Sequence, residues 1–154
     1  MPAERYTVRD IQAADRNAWR ELWRGYCDFY EVSVPDATTE ATWRRILDSG
    51  SAIHALVAVD AATNEVAGFA NYVVHPYTWS EQPACYLEDL FVRPEVRGGG
   101  VGGALIRTLI ARARANEWAR VYWMTREDNA VARRLYDRFC ERDDFVRYVV
   151  DLEG

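Results

Sequence analysis

Residues 88–110, EDLFVRPEVRGGGVGGALIRTLI, carry five glycines in the six positions 98–103. An apolar, β-branched run precedes them and an amphipathic run follows. Glycine between a strand and a helix lets an anion approach the backbone closely, because no Cβ stands in the way. The unpaired N–H groups of the helix's first turn then point at that anion and share the positive end of the helix dipole. Two phosphate-loop patterns compete for these letters. Gly98, Gly100 and Gly103 satisfy the dinucleotide fingerprint GxGxxG. However, RPEVR separates the strand from the first glycine, the next strand ends Trp123-Met124-Thr125 with no acid for a ribose, and too little chain follows for a run of parallel strands. A Walker loop needs Lys and then Ser or Thr after its last glycine, and Ala104-Leu105 stand there instead. The remaining pattern is Arg97-x-x-Gly100-x-Gly102 opening a helix, a nest suited to a pyrophosphate with Arg97 adding charge.

Outward from this loop the chain reads as alternating elements. YTVRDI (6–11) is a short strand. Trp19, Leu22, Trp23, Tyr26 and Tyr30 recur at helical spacing to about residue 31, with Asp15 a candidate cap. Pro35 stops any continuation, and Thr38 or Thr39 can cap a second helix carrying Trp43, Ile46 and Leu47. IHALVAV (53–59) and VAGFANYVVH (66–75) form a hairpin, and CYLEDLFV (85–92) is the next strand. A helix follows the glycines to about Asn116, then a strand RVYWMT (120–125), a helix from Asn129 to Phe139 and a last strand FVRYVVDL (145–152). Hairpin connections first and a β-α-β crossover later predict an α+β domain: a mixed, mostly antiparallel twisted sheet with helices on both faces. One domain is expected over residues 1–154.

Composition narrows the function classes. Hydrophobic residues make up 49% and charged residues 28%, which suits a globular core and argues against disorder. No run is long enough to span a membrane and the N-terminus has no apolar signal segment, so a soluble cytoplasmic protein is expected. The net charge of -5 argues against nucleic acid as the main partner. Cys27, Cys85 and Cys140 are odd in number with no CxxC, and His54 and His75 are the two histidines, so neither a disulfide framework nor a metal site is indicated.

R-x-x-G-x-G after a strand of the type YLEDLFV, with a later N-x-x-A-x-x-L-Y, resembles the GCN5-related N-acetyltransferase (GNAT) superfamily over nearly the whole chain. YLEDLFVRPEVRGGGVGGALI and VYWMTREDNAVARRLYDRF are similar to the spermidine/spermine branch and to the yeast-type histone or D-amino-acid branch. The resemblance implies acetyl-CoA as co-substrate, its pyrophosphate on Arg97, Gly98, Gly99, Gly100, Val101, Gly102 and Gly103. Its pantetheine arm would run along the backbone of Leu90, Phe91 and Val92 and touch Asn129, which also reads as a helix cap. It implies a homodimer as well.

Acetyl transfer to an amine needs an acceptor for the amine proton and a donor for the departing thiolate. Glu88 is the candidate base, with a structural ion-pairing role as the alternative. Strand alternation puts Tyr86, Glu88 and Leu90 on one face and Leu87, Asp89 and Phe91 on the other. Tyr136, seven residues after Asn129, maps onto the superfamily's acid; without the motif it would read as a core aromatic. Trp23, Tyr26, Tyr30, Trp79 and Asp89 are candidates for the amine site, against core packing as the alternative. Cys85 is the one cysteine near the strand for a covalent route. The expected partner is a small-molecule or peptide amine: a polyamine, a lysine-like group or an amino acid. A non-catalytic acyl-CoA-binding domain and a transferase of another acyl group are the other readings. Two departures stand out. Where relatives have Gly-Phe soon after the tyrosine, Phe139-Cys140-Glu141-Arg142 intervenes, and positions 99 and 103, often Lys or Arg in relatives, are glycine.

Overall fold

A computed structural model describes residues 4–153; residues 1–3 and 154, the ends of the expected domain, lie outside the described residues. The chain divides into a first unit up to Met124 and a second from Thr125.

The first unit is a five-stranded sheet in the order β1-β2-β3-β4-β5. The strands are β1 (Tyr6–Asp10), β2 (Ile53–Asp60), β3 (Val66–His75), β4 (Ala84–Val92) and β5 (Arg120–Tyr122). The first four pair antiparallel, and β5 joins β4 in parallel after the crossover through helix α3 (Val101–Ala115). Helices α1 (Arg16–Phe29) and α2 (Asp36–Leu47) lie between β1 and β2 in the chain. This is the expected α+β architecture with a mixed sheet.

One face of the sheet carries α1 and α2. Trp19, Leu22, Trp43 and Ile46 bury there against Val57, Phe69 and Phe91. The other face takes α3, whose Leu105, Ile106 and Leu109 are buried at helical spacing and whose Arg112 donates to the Tyr72 hydroxyl at 2.9 Å. Gly68 lets these layers close: a Cβ there would stand 2.9 Å from the Phe91 carbonyl and 3.1 Å from Val101 Cγ1, at the start of α3. Aromatic rings ladder along α1, with Trp19–Trp23 at 5.6 Å, Trp23–Tyr26 at 5.4 Å and Tyr26–Tyr30 at 4.9 Å. Such pairs contribute about 0.5–1.5 kcal/mol each beyond area burial.

The second unit contains α4 (Ala130–Tyr136). The strand expected at residues 145–152 does not form: residues 140–153 are exposed and outside any helix or strand. Its alternating pattern persists, but a strand needs a partner ladder to satisfy its backbone, and none pairs with it among the described residues. No helix among the described residues is long and apolar enough to cross a membrane.

Candidate active site

The site is built around a fault in β4. Asn71 of β3 pairs with Asp89, but the next residue, Tyr72, pairs with Leu87, so Glu88 is the extra residue of a β-bulge. The bulge overturns the simple alternation expected for this strand. Leu87 shares a face with its partner Tyr72, on the α3 side, whereas Asp89 and Phe91 share the α1 side with Asn71 and Phe69. Leu90 pairs with Ala70 and Val92 with Gly68.

Beside the bulge the sheet forks. β5 pairs with β4 only from Ala84↔Arg120 to Tyr86↔Tyr122, where the Tyr86 and Tyr122 rings stack at 4.9 Å. From Leu87 to Val92 the β5-facing edge of β4 has no strand on it among the described residues. His75 Nε2 meets the Tyr122 hydroxyl at 2.7 Å at the root of the fork.

At the far end of β4 lies the glycine loop. Gly98 and Gly100 have φ of +85° and +87°, which L side chains rarely adopt, and a Cβ at either would meet no atom within 4 Å. The glycines there serve conformation and leave the space above them open. Gly100 is the N-cap of α3, no side chain caps the helix, and the first ladder bond runs from Ala104 N–H to the Gly100 carbonyl at 3.0 Å. The N–H groups of Val101, Gly102 and Gly103 precede that ladder and remain available to an anion. Gly99 sits tightly, its Cβ position 3.0 Å from the Val96 carbonyl. The Arg97 guanidinium lies 5.0 Å from the Phe91 ring centroid and donates from Nε to the Val92 carbonyl at 3.1 Å, tying loop to strand. These residues fit the diphosphate and amide groups of coenzyme A. Gly100→Ala forces a left-handed alanine, costing about 1–2 kcal/mol. We expect that loss in a denaturant titration, with weaker CoA binding by calorimetry; wild-type values of both would show that the turn does not depend on glycine.

Behind the bulge runs a polar chain, buried at Trp19 and Asn71 and half-buried at Asp89 and Tyr26. Trp19 Nε1–H donates to Asn71 Oδ1 at 3.2 Å, Asn71 Nδ2–H donates to Asp89 Oδ2 at 3.1 Å, and the Tyr26 hydroxyl also donates to Asp89. Burial raises the Asp89 pKa, and these two donors offset part of the rise. Burial, then the Asp89 charge, push the Tyr26 phenol up as well. Glu88 itself is exposed by surface area, yet crowding by its neighbours and then Asp89 raise its pKa, with Arg45 of α2 opposing. Tyr122 in turn feels the Glu88 charge. Since the folded pKa of Asp89 lies above its unfolded one, the native state holds more protons between the two, and stability falls as pH rises through that window. Asp89→Asn mimics the protonated acid. Its Tm should exceed wild type at about pH 8 and converge with it at about pH 3, below both pKa values; a constant offset would contradict the buried-carboxylate assignment.

Of the sequence candidates, the structure brings together Glu88, Asp89, Tyr26 and, through ring contacts, Trp23 and Tyr30. Trp23 and Tyr26 are half-buried rather than free, and Trp23 Nε1–H donates to Thr39 Oγ1 at 3.2 Å. Trp79 is 77% exposed in the β3–β4 loop, its ring 6.0 Å from Tyr77. Cys85 is fully buried and desolvation pushes its thiol up to about 12, which leaves no thiolate for a covalent route at neutral pH. In the second unit, Asn129 caps α4: its Oδ1 accepts from Ala132 N–H at 3.2 Å and its Nδ2 donates to Thr125 Oγ1 at 3.3 Å. Tyr136 ends that helix, half-buried, its carbonyl accepting from Phe139 N–H at 2.9 Å. Sequence reasoning missed Asn71, Arg45 and Tyr122. Asn71 left a signal, a lone amide inside the apolar run VAGFANYVV.

The chain belongs to the acetyltransferase (GNAT) family, which its residues 19–141 match. It is an N-acetyltransferase of that family, whose members use acetyl-CoA. It is 32% identical over 148 residues to the D-amino-acid N-acetyltransferase HPA3 of Saccharomyces cerevisiae, covering 96% of this chain and 92% of that one. Similar folds include the ribosomal-protein-alanine N-acetyltransferase of Brucella melitensis, with a TM-score of 0.78, 20% identity and coverage of 96% and 99%. Another is AAC(6')-Iy in complex with a bisubstrate analog, CoA-S-monomethyl-acetylneamine, with a TM-score of 0.79, 21% identity and coverage of 95% and 98%.

Proposed function

We propose that this chain moves the acetyl group of acetyl-CoA directly to a primary amine, residues 1–154 acting as one catalytic domain. The observation that carries this reading is the coincidence, on one strand, of the fork, the bulge and the glycine nest: an edge for the pantetheine, a carboxylate at the bend and a cradle for the pyrophosphate. Leu90, Phe91 and Val92 offer backbone groups along the open edge. Arg97 to Gly103 hold the diphosphate, and Asn129 contributes to binding the pantetheine arm, as the family resemblance implies. Trp23, Tyr26, Tyr30 and Trp79 line the amine site, and Asp89 adds a second negative charge for an ammonium group.

In this scheme Glu88 takes the proton of the incoming ammonium. Crowding and Asp89 raise its pKa, which makes it a stronger base than an ordinary glutamate. The freed amine nitrogen bonds to the acetyl carbonyl carbon, the carbon–sulfur bond breaks, and the Tyr136 hydroxyl gives its proton to the sulfur; the proton that the nitrogen sheds as the amide forms then restores the Tyr136 phenol. A backbone N–H of β4 at the interrupted ladder polarises the carbonyl oxygen.

The acceptor belongs to the amines that relatives are named for, amino acids and aminoglycosides among them. We place the activity in the cytoplasm, a reducing compartment that suits three free cysteines. We also propose a homodimer, in which a second copy covers the exposed apolar residues Phe145, Val146, Tyr148, Val150 and Leu152; a monomer in sedimentation equilibrium would remove that part. Thiol release from acetyl-CoA across polyamines, lysine analogues, D-amino acids and peptides tests the function. Release only with an amine present supports transfer. CoA binding without release would make the chain a binding domain, and release with a longer acyl-CoA alone would change the donor.

A further inference from the structure

β4 carries two acids in succession, Glu88 and Asp89, and the position of the bulge decides which of them is the extra residue. On one side of it Tyr72 pairs with Leu87; on the other Asn71 pairs with Asp89, Ala70 with Leu90 and Phe69 with Phe91. A bulge moved one residue toward Val92 would pair Glu88 with Asn71 and leave Asp89 as the extra residue. Tyr72↔Leu87 and every pair from Ala70↔Leu90 onward would stand unchanged. Apolar patterning ordinarily pins the register of such a strand, yet it does not distinguish these two arrangements. The choice falls to the side chain that faces the acid, Asn71.

Asn71 is 2% exposed, and its hydrogen bonds have a fixed direction. An indole N–H can only donate. Trp19 Nε1–H, 3.2 Å away, therefore holds the Asn71 Oδ1 on its own side of the amide. The amide N–H groups are left for the opposite strand, where Asp89 Oδ2 accepts at 3.1 Å. The Tyr26 hydroxyl donates to the same carboxylate from α1. Trp19 is itself braced by the Trp43 ring at 5.3 Å and the Trp23 ring at 5.6 Å. Donors from β3 and α1 thus converge on the shorter acid, and the longer one, Glu88, is left exposed at the bulge.

We propose that Asn71 is a positioning residue of acetyl transfer: by seating Asp89 it makes Glu88 the bulged carboxylate beside the fork. This rests on the acetyl-transfer reading with Glu88 as proton acceptor. One residue along a strand is about 3.3 Å, and misplacement of a reacting group by about 1 Å already costs on the order of 10²-fold. A base that leaves the bulge therefore loses the incoming amine.

The test measures kcat with acetyl-CoA and the fastest acceptor among polyamines, lysine analogues, D-amino acids and peptides. Asn71→Leu removes both hydrogen bonds at similar volume. It should lower kcat by about 10–100-fold and leave the CoA dissociation constant unchanged, because the glycine nest lies at the other end of β4. Amide hydrogen exchange over residues 87–92 should quicken in that variant. Asn71→Asp is isosteric and carries the test if Asn71→Leu fails to fold. Protonated, its acid donates to Asp89 as the amide does; ionised, it repels Asp89. Its kcat relative to wild type should therefore fall as pH rises from about 6 to about 10. Tyr26 and Cys27 on α1 and Glu88 on β4, the titratable groups around Asp89, are common to both proteins and cancel in the ratio. Wild-type kcat in a CoA-binding Asn71→Leu, or an Asn71→Asp ratio that does not move with pH, overturns the positioning role and leaves acetyl transfer standing. If wild type acetylates no amine at all, the acetyl-transfer reading fails, and the positioning role with it.

Discussion

Tyr136→Phe is expected to lower kcat by about 10²–10⁴-fold, the usual range for a general acid, with the CoA dissociation constant unchanged. The variant keeps the ring and removes only the hydroxyl. Tyr136 closes α4 through its backbone carbonyl, which phenylalanine retains, so the helix should survive. A phenol with a pKa of about 10 is well matched to a leaving thiolate whose conjugate acid is near 8.5–10. A structural tyrosine would instead lose stability with kcat preserved. Stopped-flow thiol release and calorimetry on the same preparation separate the two, and wild-type turnover would remove Tyr136 from the chemistry.

The second large effect is at Glu88. Glu88→Gln should lower kcat/KM by about 10²–10⁴-fold and abolish the acid limb of its pH profile. A base works only when ionised, so wild-type activity rises with pH through the Glu88 pKa. Crowding and Asp89 set that pKa above the ordinary glutamate range, and the limb should lie correspondingly high. Glutamine has no proton to lose in this range and leaves the limb flat. An unchanged profile would assign Glu88 to structure or to holding the substrate's charge.

Much of this site was legible in the sequence because its signals are local. Glycine's tolerance of positive φ marks the turn before α3, and the six positions 98–103 sit where the loop bends. The cap at Asn129 is equally local, an amide one residue before its helix. The bulge at Glu88 was not legible, because it is a property of two strands: β3 has one residue fewer than β4 between Asn71 and Tyr72, and no period within YLEDLFV reveals that. The start of α2 differs from the sequence expectation for a related reason: Thr38 or Thr39 offers a cap, but the helix starts at Asp36 after an extended Pro35 with φ -57° and ψ 146°, and Thr39 is buried, taking the Trp23 donor. Residues 145–152 show the converse, an alternating pattern with no partner strand among the described residues. In the aromatic run of α1, Trp19 is core, 1% exposed, Trp23 and Tyr26 pack partly buried against that core, and Tyr30 continues the ladder from Tyr26.

The most direct test is to supply acetyl-CoA labelled in the acetyl group, with an amine acceptor, and follow the label by mass spectrometry. Direct transfer predicts labelled amide formed in step with free thiol, and no label on the protein at any time. Labelled acetyl on the chain, or thiol released without labelled amide, would contradict direct transfer.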